Sequence, residues 1–173
     1  MIMTPRRSGG DAVTNTPAQD DSMESLQERF EAFERTPPPA LFGDPIWRLP
    51  AYRIALFLSD VSQRDAHTLA KTTCSPHVVD QLLRSVDSIR ANISEGYSRL
   101  SGRERARYFD IALGSAREAR DWYRRAIPWL GELDSFERAA LLTRIIKILL
   151  VAVPQERNGA TEFRLQSGRK REG

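Results

Sequence analysis

Apolar side chains recur at steps of three and four residues through most of the chain, and the most regular run lies between Ala106 and Leu130. Such steps place side chains on one face of an α-helix, whereas a strand alternates with a period of two. No segment of the sequence shows that alternation, so the pattern predicts an all-α protein. The members of the run are Ala106, Phe109, Ala112, Ala116, Ala119, Tyr123, Ala126 and Leu130.

Three further segments carry the same periodicity. Residues 46–68, 76–100 and 135–153 repeat apolar side chains at these steps, and the run described above lies between the last two. Long helices joined by short loops are typical of an antiparallel up-down-up-down four-helix bundle. We therefore predict such a bundle over residues 46–154.

Residues typical of helix ends separate these segments. Ser or Asp followed three residues later by Glu predicts a capping box, and Gly or Pro after an apolar run predicts a helix end. The predicted starts are Ser75-Pro76, Ser101 with Glu104 and Asp134 with Glu137, and the predicted ends are Gly131 and Pro154.

The two ends of the chain differ in composition from the predicted bundle. Residues 1–45 form an acidic leader with 4 basic and 8 acidic side chains, in which residues 1–21 are predicted to be disordered. A short helix over residues 22–35, capped by Ser22, precedes a stiff Pro-rich linker. Residues 155–173 are predicted to form a disordered basic tail.

The predicted leader helix is amphipathic. Leu26, Phe30 and Phe33 share one face. An isolated helix of this length is marginally stable in water. We therefore predict that this face docks either on the bundle or on a partner.

Composition and motifs disfavour several classes of protein. The single cysteine, Cys74, excludes an intramolecular disulfide and fits a cytoplasmic location. No apolar stretch approaches the roughly 20 residues that span a bilayer. His67, Cys74 and His77 lack an obvious fourth zinc ligand, and no phosphate-loop or nucleophile motif is present. We expect the protein to bind no metal or cofactor and to have no enzymatic activity.

Arginine outnumbers lysine by 23 to 3 and is concentrated on the two central helices. Alternating charges at helical spacing indicate either solvated faces with intrahelical ion pairs or a surface that contacts phosphates. Aromatic residues are not interleaved with these arginines, so binding should be directed at the nucleic-acid backbone. The candidates for nucleic-acid contact are Arg84, Arg90, Arg99, Arg103, Arg107, Arg117, Arg120 and Arg124.

Small and polar residues form a second stripe on the same two helices. One interpretation is a buried polar cluster, or a pair of carboxylates for acid–base or metal chemistry. The favoured one is close helix approach and subunit register, because a mid-helix glycine costs about 1 kcal/mol relative to alanine and needs a packing reason. The residues of this assembly motif are Asn92, Glu95, Gly96, Gly114, Ser115 and Glu118.

The helix predicted over residues 135–153 is apolar on more than one face. Leu141, Ile145 and Ile148 exceed the single stripe that a bundle helix buries. They predict either a second contact surface, and hence an oligomer, or a core that is larger than usual.

Two stretches resemble the four-helix bundle proteins encoded in intervening sequences of bacterial 23S rRNA genes. The resemblance covers about residues 46–153 and rests on short pieces with matching order and spacing. Those pieces are Gln81-Leu82, Arg84, Ser88-Ile89, Asn92-Ile93, Glu95-Gly96, Arg99, Ile111-Ala112, Gly114-Ser115 and Glu118, with Trp47 and Ala51 at the start of the first helix.

This resemblance implies a ring-like homopentamer with a suspected nucleic-acid-binding role. The family is also similar to the accessory proteins of diversity-generating retroelements, which bind a reverse transcriptase and nucleic acid. We therefore predict a non-enzymatic, oligomeric bundle that binds RNA or DNA through its arginines. The alternative is a protein-interaction adaptor that docks a reverse transcriptase or other polymerase through the leader helix or the helix over residues 135–153.

Overall fold

The structure, a computed structural model, describes residues 25–169 and their side chains as far as residue 159. Within that range there are five α-helices, two short 3-10 helices (Pro39–Leu41 and Pro45–Arg48) and no strand, so the prediction of an all-α protein is confirmed. The α-helices are α1 (Leu26–Arg35), α2 (Pro50–Leu69), α3 (Pro76–Tyr97), α4 (Gly102–Leu130) and α5 (Glu132–Arg169).

Helices α2 to α5 form the bundle, and α4 packs along both α3 and α5. Contacts between α3 and α4 run in opposite chain directions, since Ser88 meets Ser115 and Arg99 meets Tyr108. Contacts between α4 and α5 also run in opposite directions. These two pairs are antiparallel, while the complete up-down-up-down order stays a prediction.

The alanines of α4 explain why this helix can sit between two others. Ala106, Ala112, Ala116, Ala119 and Ala126 are all fully buried. Their short side chains let the larger apolar residues of α3 and α5 come close to the α4 backbone. The larger buried side chains around them include Leu82, Ile89 and Ile93 of α3 and Leu142, Ile145 and Leu149 of α5.

The leader helix α1 docks on the bundle. It begins at Leu26 with Ser25 as its cap, in a capping box with Glu28. The predicted cap at Ser22 is therefore wrong, because the Ser25 hydroxyl and the Glu28 carboxylate satisfy the first free N–H groups instead. Residues 1–24, including the predicted disordered stretch, lie outside the described residues.

The apolar face of α1 is used within the chain. Leu26 and Phe30 are buried, and Phe33 is half-buried. The Phe30 and Phe33 rings contact the Phe57 ring of α2 at centroid distances of 5.3 and 5.4 Å. Much of this face is therefore used within the chain, and the role of these three side chains in docking a partner stays a prediction.

The apolar surplus on α5 belongs to the core. Leu141 and Ile145 are buried, and Ile148 is half-buried against the same cluster. Helix α1 extends that core toward α5, because the Arg144 guanidinium lies 5.0 Å from the centroid of the Phe30 ring. Of the two alternatives for this surplus, the larger core is the one observed.

The predicted helix starts at Ser75-Pro76 and Ser101 are confirmed, since these serines directly precede α3 and α4. The predicted capping box of Ser101 with Glu104 is wrong, because no side-chain hydrogen bond caps α4. Helix α5 begins at Glu132, one residue after Gly131, so Asp134 cannot be its cap. The predicted end of α4 at Gly131 is confirmed, with a φ of 92° that favours glycine.

Pro154 does not end α5, which continues to Arg169. A proline removes one backbone hydrogen bond but leaves the following residues free to stay helical. Two side chains after Pro154 pair with α4, Glu156 with Arg105 and Arg157 with Asp110. The prediction of a disordered tail from residue 155 is therefore wrong as far as residue 169, and residues 170–173 lie outside the described range.

The described helices include none with the length and apolar content that crossing a bilayer requires.

Candidate nucleic-acid interface

Four of the predicted arginines lie on the exposed side of α4 and are called the arginine strip: Arg103, Arg107, Arg117 and Arg124. With about 100° of rotation per residue, their positions fall within a sector of about 100° around the helix axis. The strip is about 32 Å long, since a helix rises about 1.5 Å per residue. It can therefore face one extended, negatively charged ligand.

Acidic residues interrupt the strip, but both of them are engaged. Asp110 accepts a hydrogen bond from Arg157 Nη2 at 3.0 Å, and Asp121 pairs with Arg124 at 3.0 Å. Among the described residues, no acidic group lies within ion-pair distance of Arg103, Arg107 or Arg117. These three guanidinium groups carry most of the available positive charge of the strip.

The other four arginines lie elsewhere. Arg84 on α3 is exposed and pairs with Asp80 at 3.1 Å. Arg90 is half-buried and lies about 240° around α3 from Arg84, on another side of the bundle.

Arg99 pairs with Glu95, and its guanidinium lies over the Tyr108 ring. Arg120 is exposed beside α5, with Nη1 3.4 Å from Thr143 Oγ1. The eight candidates therefore do not form one surface, and Arg99 is largely used to join α3 to α4.

Most of the predicted assembly motif lies where α3 meets α4. The Ser88 and Ser115 hydroxyls are 2.9 Å apart, and Asn92 Nδ2 donates to the Ser88 carbonyl oxygen at 2.8 Å. Ser115 also donates to the Ile111 carbonyl oxygen at 3.0 Å. These bonds satisfy polar groups at a helix contact, which supports the packing interpretation over a carboxylate pair.

The two carboxylates of the motif, Glu95 and Glu118, have different hydrogen-bond partners. Glu95 pairs with Arg99, which lies two residues beyond the end of α3. Glu118 accepts a hydrogen bond from Trp122 Nε1 at 3.3 Å, one turn further along α4. Each carboxylate therefore serves its own helix.

Close helix approach depends on Gly96 and not on Gly114. A Cβ atom at position 96 would lie 2.9 Å from the Phe109 ring and 3.1 Å from Tyr108 Cβ. A Cβ atom at position 114 would meet nothing within 4 Å. The predicted packing role of Gly114 is wrong within the chain, because this glycine faces outward between Arg107 and Arg117.

A buried polar network joins α2, α4 and α5, and the sequence reasoning missed it. Asp65 of α2 accepts hydrogen bonds from Tyr123 Oη at 2.9 Å and from Arg138 Nε at 3.2 Å and Nη2 at 3.1 Å. All three residues are buried, with Asp65 4% exposed and Arg138 7% exposed. Asp134 at 2.6 Å and Glu137 at 3.3 Å complete the set of Arg138 partners.

The sequence contains an indication of this network, namely charged residues at positions of the apolar stripes. Asp65 lies four residues from both Val61 and Leu69, and Arg138 lies four residues before Leu142, so both occupy positions of the apolar stripes. A charged residue at such a position calls for a buried partner of opposite charge.

Burial governs how the network titrates. It raises the pKa of Tyr123 well above the usual value, and the nearby Asp65 carboxylate raises it further. For Arg138 burial favours the neutral form, but the hydrogen bonds and charges of Asp65 and Asp134 more than offset this, so its pKa is raised. The phenol and the guanidinium therefore hold their protons throughout the physiological pH range.

No group of three or more His, Cys, Asp or Glu side chains within the described residues is placed to hold a metal ion. Cys74 is buried, and burial raises the pKa of its thiol. The His77 ring packs edge-on against the Trp122 ring with a centroid distance of 5.7 Å. Cys74 and His77 therefore contribute to packing where α3 begins.

Fold and surface together define an all-α bundle protein in which the helix between α3 and α5 carries exposed arginines. The family described as 23S rRNA-intervening sequence protein matches residues 58–149, and the chain belongs to this family. It is also similar to a crystal structure of a protein of unknown function from the S23 ribosomal protein family of Bacteroides thetaiotaomicron, with 23% identity and a TM-score of 0.57. That similarity covers 60% of this chain and 97% of the other. No curated protein matches the sequence significantly.

Proposed function

We propose that the protein is a non-enzymatic, cytoplasmic nucleic-acid-binding bundle that contacts the phosphate backbone, preferably of RNA, through the arginine strip. The observation that carries this proposal is the set of three exposed guanidinium groups, Arg103, Arg107 and Arg117, without acidic partners among the described residues. Arginine donates paired hydrogen bonds to phosphate oxygens, which makes it well suited to this contact.

Gly114 favours the same interpretation. It lies between Arg107 and Arg117, and its surroundings within 4 Å are open. The centre of the strip therefore lacks a side chain, and a sugar-phosphate backbone can come close to the helix there. Contacts of this kind hold the strand without reading its sequence.

Salt titration of RNA binding tests the proposal. Fluorescence anisotropy of a labelled single-stranded RNA should show weaker binding as salt rises, because each neutralised phosphate releases counterions. Replacing Arg103, Arg107 and Arg117 by Gln should reduce the magnitude of the slope of log K against log salt by about 2, since each contact contributes about 0.7 on a single strand.

The matched control removes the same charge from exposed positions outside the strip. Arg35, Arg48 and Arg84 are exposed and lie on other parts of the chain. Their replacement by Gln should change the slope much less than the strip variant does. Equal effects of the two triple variants would show that only net charge matters, and absence of binding at low salt would refute the proposal.

We also propose that the bundle assembles as a homopentamer, which the family resemblance implies. Ile111 of α4 supports a subunit contact, because this apolar side chain is 43% exposed. Light scattering at micromolar concentration tests the assembly, and a monomeric mass would contradict it. Ile111→Ser should weaken the assembly, whereas Arg35→Gln should leave it intact.

An adaptor function is the second candidate. Helix α5 offers a better docking surface for a partner than the leader helix does. Leu150 and Val151 are 48% and 57% exposed in the middle of α5, whereas the apolar face of α1 is covered. A polymerase such as a reverse transcriptase is the proposed partner. Capture of a purified reverse transcriptase should fall with Leu150→Ser and Val151→Ser, and unchanged capture would exclude this face.

A further inference from the structure

An open pocket of about 390 Å³ lies between α4 and the first turns of α5. This volume falls within the range of about 300–1,000 Å³ that is typical of small-molecule sites. The lining residues relevant here are Arg120, Asp121, Arg124 and Ile127 from α4 and Ser135 and Phe136 from α5.

Ser135 gives the pocket an unsatisfied polar group. The residue is 1% exposed, and among the described residues its hydroxyl has no hydrogen-bond partner. Buried hydroxyl groups are nearly always paired, because an unpaired one loses its hydrogen bonds to water without replacement. Rotation of the Ser135 side chain toward the pocket would bring this hydroxyl within reach of a polar ligand atom.

Arg120 and Arg124 give the pocket positive charge. Arg124 pairs with Asp121, but both side chains are more than half exposed, so this ion pair is weak and readily exchanged. Within the part of the chain that the structure describes, the hydrogen bond found for Arg120 is a long one, 3.4 Å from Nη1 to Thr143 Oγ1. Two guanidinium groups one helical turn apart can hold the oxygens of one phosphate group.

Phe136 gives the pocket an aromatic surface. It is 59% exposed, although most other large apolar side chains of α5 as far as residue 159 are buried. An exposed aromatic ring beside Ile127 and next to two arginines provides a stacking surface for a base, and stacking of this kind tolerates any base.

We propose that this pocket binds a nucleoside phosphate, with the phosphate held by Arg120 and Arg124 and the base stacked on Phe136. The inference deepens the proposed function, because it assigns one nucleotide unit of a bound strand to a defined place on the protein. A free mononucleotide carries the same phosphate and base as one nucleotide of a bound strand. The experiment below therefore measures the binding of each separately.

Two titrations of the full chain test the proposal. In the first, a single-stranded RNA carries 2-aminopurine, whose fluorescence is quenched on stacking, and anisotropy of a second label on the same strand reports binding. In the second, isothermal calorimetry measures binding of adenosine monophosphate. Both are repeated with Phe136→Ala and with Leu133→Ala, which is a control because Leu133 is 74% exposed and outside the pocket lining.

We expect quenching with the native chain and with Leu133→Ala, but not with Phe136→Ala, while anisotropy still reports strand binding. Quenching without mononucleotide binding identifies a nucleotide of the strand as the ligand of the pocket. Mononucleotide binding that weakens about tenfold in Phe136→Ala identifies the free nucleotide as the ligand. If the mononucleotide binds in this way but no strand does, the pocket stands and the proposed function fails. If a strand binds and neither Phe136-dependent signal appears, the pocket proposal is overturned and the proposed function stands. Absence of both signals together with absence of strand binding overturns both.

Discussion

Arg138 on α5 donates hydrogen bonds to both carboxylate oxygens of Asp65 on α2, at distances of 3.2 and 3.1 Å. The two residues are 73 positions apart, so the pair fixes the first bundle helix against the last. Both side chains are at least nine-tenths buried. Removing either partner leaves a buried charge with fewer compensating contacts.

Asp65→Ala should lower the free energy of unfolding by about 3–5 kcal/mol, because the Arg138 guanidinium then loses its main buried partner. Urea denaturation followed by circular dichroism measures this. The triple variant Asp65→Leu, Tyr123→Phe and Arg138→Met should recover most of the loss, since it removes both charges and the phenol hydroxyl that would lose its acceptor. Asp121→Ala, which breaks an exposed pair, should cost less than about 1 kcal/mol. A triple variant as unstable as Asp65→Ala would contradict this account.

The stability of the protein should fall at alkaline pH because of Tyr123. An unfolded tyrosine titrates near pH 10, and the folded-state pKa of Tyr123 is well above that value because of burial and the Asp65 charge. The folded chain therefore binds this proton more tightly. Its contribution is complete below pH 10 and is lost as the pH rises toward the folded-state pKa, by up to about 1.4 kcal/mol per pH unit.

Urea denaturation between pH 8 and pH 11 tests the contribution of Tyr123. Tyr123→Phe should be less stable at pH 8, because Asp65 loses a hydrogen-bond donor, and its stability should depend less on pH above 10. Tyr97→Phe alters an exposed ring and should retain the native slope. The same slope in Tyr123→Phe as in the native chain would show that other groups cause the alkaline loss.

Alanine substitutions at two helical glycines, Gly96 in the last turn of α3 and Gly114 in the middle of α4, should have opposite effects on stability. Gly96→Ala should destabilise the fold by about 1–3 kcal/mol, because the new methyl group collides with Phe109. Gly114→Ala should stabilise the monomer by up to about 1 kcal/mol, since alanine favours helix and the site is open. Thermal unfolding measures both. A destabilised Gly114→Ala variant would indicate a contact that the single chain does not contain.

The leader helix should detach without unfolding the bundle. Replacing Leu26, Phe30 and Phe33 by Ser removes the face that packs on Phe57 and Trp47. Hydrogen exchange should then become fast in residues 26–35 and stay slow in α3 and α4. Replacing Glu31 and Ala32, which are exposed, should change neither region. Loss of protection throughout the bundle would show that α1 is integral to it.

The apolar periodicity predicted the number and approximate position of the bundle helices, because that pattern reflects burial of one helix face. The ends were harder to predict, since neighbouring helices decide them. Pro154 illustrates this: its local preference is to stop a helix, but Glu156 and Arg157 beyond it pair with α4.

The candidate site was predicted less completely than the fold. Arg103, Arg107 and Arg117 could be placed on one helix face from spacing alone. The different roles of Gly96 and Gly114 could not, because both lie within predicted helices and only the position of Phe109 distinguishes them. The Asp65–Arg138 pair joins distant segments, and no local pattern specifies which buried cation meets which anion.

A single residue, Gly131, connects α4 to α5, and this sets an order of folding. The entropy lost on closing a loop grows with its length, so the α4–α5 corner is the least costly one to form, whereas α1 must be brought back across residues 36–49. Contacts that form early govern the folding rate, and contacts that form late govern the unfolding rate. We expect Gly131→Ala, which strains a positive φ, to slow refolding in stopped-flow measurements, and Phe30→Ala mainly to accelerate unfolding.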